Sequence, residues 1–92
     1  VIYEWDPKKA KANFRKHGVS FEEAATVFLD PFAVTFPDPD HSDAETREIT
    51  IGRSTRDRVV FLCHTRRGER TRLISGREAT KRERKQYEEI IG

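Results

Sequence analysis

Ninety-two residues, 35% of them hydrophobic and 37% charged, leave room for a single domain over 1–92 with a small core and a surface dense in charge. One cysteine, Cys63, excludes an internal disulfide and a multi-cysteine zinc site, and no run approaches the ~18 apolar residues of a membrane span. The net charge of +2 hides an uneven split: residues 1–45 hold five Lys/Arg against nine Asp/Glu, a balance of −4, and residues 46–92 hold thirteen against seven, a balance of +6.

Val1 to Trp5 alternates like a short strand. Asp6 followed by Pro7 predicts a helix that begins there and runs to about His17, with Gly18 as its left-handed stop. Ser20 and Glu23 form a capping box for a second helix through Leu29, with Ala24, Val27 and Phe28 at helical spacing and Pro31 ending it. The period then shortens. Phe32 to Phe36 reads as a strand, Pro37 to Asp43 as a loop, and Arg47–Gly52, Arg58–His64 and Thr71–Gly76 as three further strands. Ser54–Asp57 and Arg66–Glu69 supply hairpin turns. Thr80 and Glu83 are a second capping box, for a last helix to about Ile90 whose apolar side is thin: Tyr87, Ile90 and Ile91. The fold class is therefore α+β. A short N-terminal strand and two helices precede an antiparallel meander of about four strands and a C-terminal helix, with the helices on one face of the sheet and the other face open.

The run Arg72-Leu-Ile-Ser-Gly-Arg77 is an apolar strand bounded by arginines. Guanidinium groups held on a strand suit phosphate oxygens in a set geometry. Lys81 and Lys85 are the only lysines of the basic half, and an arginine-rich half fits nucleic-acid binding as well as plain solvation.

Several separate segments resemble one family. Trp5-Asp6-Pro7 with Lys9, Asn13 and Lys16-His17-Gly18-Val19-Ser20-Phe21 looks like the opening of BrnT-type toxins of bacterial type II toxin–antitoxin systems. Val27-Phe28 with Asp30, Glu45 with Arg47, and Ile51-Gly52 continue the likeness. Arg72-Leu-Ile-Ser-Gly-Arg77 with Ala79, Glu83 and Tyr87 resembles the family's closing pattern. The resemblance implies a RelE-like fold and an RNA-cleaving toxin that inhibits translation. It also implies neutralisation by a small DNA-binding antitoxin of the BrnA type, with operator DNA reached only through that partner. Gly76 departs from the pattern, standing where the family usually has alanine; a glycine there loosens the backbone beside Arg77.

Metal-free RNA cleavage needs a base for the 2′-hydroxyl, charge stabilisation at the phosphorane and an acid for the leaving 5′-oxygen. Arginine is always protonated and suits the middle role, so Arg77 and Arg72 are the stabiliser candidates. Five positions apart, they lie on opposite faces of a regular strand; they reach one site only if the strand bulges or ends near Gly76, and Arg72 can instead pair with an acid. His17 is the candidate acid or base, since imidazole titrates nearest neutrality, or else it caps its own helix. Lys9, Asn13 and His17 share a helical stripe and can contact phosphate, base edge and ribose, with Asn13 alternatively a structural hydrogen bonder. Tyr87 can donate a proton, stack on a base or fill the core. Arg66 and Arg67 on a turn can contact RNA or a partner, or remain solvated. Ser75 can bind phosphate or a neighbouring backbone group. His64 and Cys63 read as buried structural residues.

The loop from Asp38 to Asp43 holds three carboxylates and His41, yet lacks the central glycine and closing glutamate of a calcium loop. It reads as an exposed acidic loop. No metal and no cofactor are expected, nor any contact with a membrane; with no signal peptide visible, the cytoplasm is the expected compartment. Three function classes stay open on the residues alone: a metal-independent endoribonuclease, a non-catalytic nucleic-acid-binding module and a protein-interaction module. The resemblance favours the first.

Overall fold

The local signals at the start of the chain are realised in full. In the computed structural model, which describes residues 2–39 and 46–91, strand β1 spans Ile2–Glu4 and helix α1 spans Pro7–His17. The Asp6 carboxylate accepts the Lys8 amide at 2.9 Å, and Gly18, at φ 71°, donates its amide to Phe14 O at 2.8 Å, so both ends of α1 are closed by local chemistry. Ser20 caps helix α2 (Phe21–Ala25) through the Glu23 amide at 3.0 Å. The expected single helix to Leu29 tightens at its end into a 3₁₀ turn over Thr26–Leu29. Thr26 Oγ1 donates to Glu23 O at 2.6 Å, and a β-branched hydroxyl that takes a helix carbonyl competes with the next helical bond.

Strands β2 (Val34–Pro37), β3 (Arg47–Arg53), β4 (Val59–Arg67) and β5 (Arg70–Glu78) form the antiparallel meander, followed by helix α3 (Lys81–Ile91). The sheet order is β1-β5-β4-β3-β2. Its β1 pairs parallel with β5, Ile2 to Arg70 through Glu4 to Arg72, so the sheet is mixed. β4 and β5 run further than the sequence suggests, and their turn shrinks to Gly68 and Glu69, with Gly68 at φ 62°.

The two faces of the sheet carry separate cores. Val60, Leu62 and Leu73 pack under Val19, Phe21, Ala24 and Val27, with Trp5 edge-on to Phe21 at 5.8 Å. Ile49, Ile51, Val59 and Cys63 point the other way, toward Ala79 and Tyr87. Alternation along β4 requires this, and it corrects the expectation of helices on one face only: α1 and α2 cover one face, α3 part of the other. Tyr87 is the anchor of α3, 2% exposed, with its hydroxyl donating to the Asp30 carboxylate. Asp30 also accepts the amides of Phe32 and Arg53, at 2.9 and 2.8 Å, and so ties α3 to the first residues after the 3₁₀ turn and to β3. A second staple joins α2 to the β3–β4 turn: the buried Glu23 carboxylate accepts from Arg58 and, at 2.7 Å, from Ser54 Oγ.

His64 is structural, as expected. It is 5% exposed, its Nε2 lies 2.7 Å from Thr50 Oγ1, and its ring stands edge-on to Phe28 at 5.1 Å. Burial holds its pKa below the usual imidazole value, with Glu48 opposing in part. The folded state thus prefers the neutral ring. That contribution is complete above the unfolded imidazole value and is lost as pH falls through it, because the unfolded chain takes up the proton first. Equilibrium urea unfolding is expected to show stability declining as pH falls below about 7, by at most about 1.4 kcal/mol per pH unit. His64→Gln flattens that slope if the account holds.

Candidate nucleic-acid interface

The carrier of the site is β5. β1 flanks it only from Arg70 to Arg72, and further along the same edge a side chain takes the place of a strand. Asn13 Nδ2 donates to Gly76 O at 2.7 Å and to Val19 O at 3.0 Å, and Oδ1 accepts the Gly76 amide at 3.1 Å. One amide therefore satisfies a buried backbone edge and fixes α1 alongside it. With 7% exposure and all these bonds made inside the protein, Asn13 fits the structural one of its two readings. Gly76 is accordingly held, not loosened. A Cβ there would lie 3.2 Å from the Ala24 Cβ, so the glycine lets α2 approach the strand.

Pinned this way, α1 and β5 enclose a shallow depression of about 230 Å³ lined by Lys9, Ala12, Asn13, Lys16, His17, Ile74 and Ser75. Four residues singled out in the sequence, Lys9, Asn13, His17 and Ser75, meet here. Lys16 joins them and was not singled out, although it stands seven positions after Lys9 and so shares its side of the helix. No hydrogen bond or ion pair engages Lys9 or Lys16 among the described residues.

Arg72 and Arg77 are brought to one face by a bulge. Cys63 pairs with Ser75 and His64 with Leu73, leaving Ile74 as an extra residue in β5. Arg72 then stands opposite Thr65 and Arg77 opposite Phe61, two β4 positions of equal parity. Ser75 shares that face. Both guanidinium groups have acidic partners: Arg72 donates to Glu4 at 3.0 Å, with Arg70 at 3.5 Å from the same carboxylate. Arg77 makes a two-pronged pair with Glu83, at 2.8 and 3.0 Å, and its guanidinium lies 4.1 Å above the Phe61 ring. These bonds hold the Glu4 and Glu83 carboxyls below their usual range and push Arg77 up. Glu83 also accepts the Thr80 amide at 2.8 Å, the expected capping box, so the pair couples Arg77 to the start of α3.

The remaining expectations fall elsewhere. The Tyr87 hydroxyl is buried and its pKa is pushed up to about 12, first by desolvation and then by Asp30, which fits a core anchor and not a proton donor. Arg66 and Arg67 end β4 with exposed side chains, at the hairpin and outside the lining of the depression; Arg66 Nε reaches Gly68 O at 3.3 Å. Cys63 is buried with Sγ 3.8 Å from Asp38, and its thiol is pushed up to about 11, first by burial. Among the described residues no cluster of three His, Cys, Asp or Glu is disposed for a metal ion. Asp40, His41 and Asp43, the rest of the acidic loop, lie outside the described residues. No described helix is long and apolar enough to cross a membrane.

A family model described as "Ribonuclease toxin, BrnT, of type II toxin-antitoxin system" matches residues 5–83. This chain belongs to that family. The BrnT match spans every residue of the depression, both arginines and Glu83, and leaves Tyr87 outside. The crystal structure of the Brucella abortus ribonuclease toxin BrnT is similar, with a TM-score of 0.68 and 25% identity over 88% of this chain and 100% of that one. No curated protein matches. The BrnT resemblance and the α+β fold read from the sequence are thereby confirmed, and membership of a type II toxin–antitoxin family implies an antitoxin as partner.

Proposed function

We propose that this chain cleaves RNA by attack of a 2′-hydroxyl on the adjacent phosphate, without a metal ion, and so inhibits translation until its antitoxin binds. The observation that carries the reading is the convergence of His17, Lys9, Lys16 and Ser75 in one depression beside the strand that bears Arg77. His17 takes the 2′-hydroxyl proton and returns one to the leaving 5′-oxygen. Lys9, Lys16 and the Ser75 hydroxyl hold the phosphate oxygens. Arg77 stabilises the phosphorane by trading part of its Glu83 pair for phosphate, which a guanidinium with five donors can do stepwise. The lining holds cations and no carboxylate, an environment that stabilises phosphate directly and repels a divalent metal. The partner is a small BrnA-type antitoxin with a DNA-binding domain, operator DNA is contacted only through it, and the compartment is the cytoplasm.

A second reading, RNA binding without cleavage, is favoured by one fact: Arg72 and Arg77 are both already paired with acids. Labelled RNA incubated with the purified protein in EDTA separates the two. Cutting is expected to persist in the chelator. RNA that stays intact while bound supports the second reading.

A further inference from the structure

All five Lys/Arg of residues 1–45 lie on α1, which holds no Asp or Glu. At about 100° per residue they ring the helix: Lys9 and Lys16 fall on the β5 side of Asn13, Lys11 and Phe14 on the α2 side, and Lys8 and Arg15 along the crest between. On the α2 side lies a second and larger depression, of about 690 Å³, lined by Ala10, Lys11, Phe14, Arg15, Ser20, Phe21 and Glu22. Phe21 is buried beneath it, whereas Phe14 is 54% exposed. Among the described residues, no hydrogen bond or ion pair engages Lys11 or Arg15. An exposed ring flanked by unpaired cations, on a helix whose other side lines the phosphate-binding depression, is unexplained by the fold.

We propose that the Phe14 depression is a second subsite for single-stranded RNA. Phe14 stacks on a base a few nucleotides from the cut, and Lys11 and Arg15 hold the phosphates of a strand that crosses the α1 crest. The proposal rests on the RNA reading above and extends its substrate to strands long enough to span the helix. Stacking uses a π-face that every base has, so the subsite adds affinity for length with little preference for sequence. Glu22, the single acid in the lining, repels phosphate and confines the strand to the Lys11–Arg15 side. A protein partner fits this spot less well. A protein interface needs a cluster of buried apolar anchors over roughly 800 Å² per side, and here one ring is exposed. The other large exposed apolar residues among the described residues, Ile2, Leu29, Phe32, Phe36 and Ile90, lie outside the depression.

The test compares the wild type with Phe14→Ala, Phe14→Trp and the double variant Lys11→Ala/Arg15→Ala, on a long labelled RNA and on a dinucleotide holding only the cut bond. Phe14→Ala is expected to raise KM for the long RNA about ten-fold or more with kcat unchanged, and Phe14→Trp to restore it. The dinucleotide is expected to be cut equally by wild type and Phe14→Ala. The double variant is expected to flatten the dependence of log KM on log salt by about 1.4, for two phosphates at about 0.7 each. Melting temperatures confirm that the variants fold, the changed side chains being exposed. If the wild type cuts long RNA and Phe14→Ala does so with the same KM, the subsite is wrong while the ribonuclease reading stands. If the wild type neither binds nor cuts RNA, the ribonuclease reading itself fails and takes the subsite with it. Phe14→Ala that cleaves normally but no longer binds the antitoxin overturns the subsite in favour of a protein contact.

Discussion

Replacing His17 by alanine is expected to lower kcat for RNA cleavage roughly 10²- to 10⁴-fold, the range supplied by a positioned proton-transfer group. RNA binding and the melting temperature are expected to change little. The reason lies at the end of α1. Gly18 closes the helix through its own amide to Phe14 O, so His17 is not needed as the stop, and His17 lines the same depression as Ser75. Burst and steady-state cleavage of a labelled RNA, with binding measured separately by fluorescence anisotropy, checks this. Full cleavage by a folded His17→Ala protein would remove His17 from the mechanism. Loss of stability without loss of kcat would return it to the role of a helix cap.

Arg77→Ala is the second large effect, with kcat expected to fall about 10²- to 10³-fold, as for removal of one donor to a developing anion. This variant also strips Glu83 of its partner and loosens the start of α3, so the rate loss must be separated from a folding defect. Arg77→Lys keeps a cation but cannot make the two-pronged pair or lie flat on Phe61 in the same way. If Arg77 acts on phosphate, Arg77→Lys recovers part of kcat while remaining less stable than the wild type. If Arg77 serves only to hold α3, rates in both variants follow the folded fraction, and circular dichroism melts run beside the assays show it.

The boundaries of α1 were legible because each depends on a neighbour: Asp6 on the Lys8 amide, Pro7 on a missing donor, Gly18 on its φ. The capping box at Thr80 and Glu83 was legible for the same reason, and the pairing of period with strand length placed β3, β4 and β5. What failed had either a weak local signature or none. The tightening after Ala25 came from a threonine hydroxyl competing for one carbonyl. The side taken by α3 depended on which face of β4 had apolar residues left uncovered after α1 and α2 had packed.

The site divides along the same line. Lys9, Asn13, His17, Ser75, Arg72 and Arg77 could be named from residue type and spacing, since charge, donor count and titration range belong to the side chain itself. Their arrangement could not. Whether Arg72 and Arg77 face the same way turned on one extra residue, Ile74, in a pairing with β4 that no local motif announces. Which groups remain free for RNA turned on contacts between residues far apart in the chain, Glu4 with Arg72 and Asn13 with Gly76. The sequence by itself determined both ends of α1, the starts of α2 and α3, the strand set, the cationic inventory and the family. Only the tertiary structure decided which cations share a surface, because register and long-range pairing are set by how the whole sheet buries its two faces.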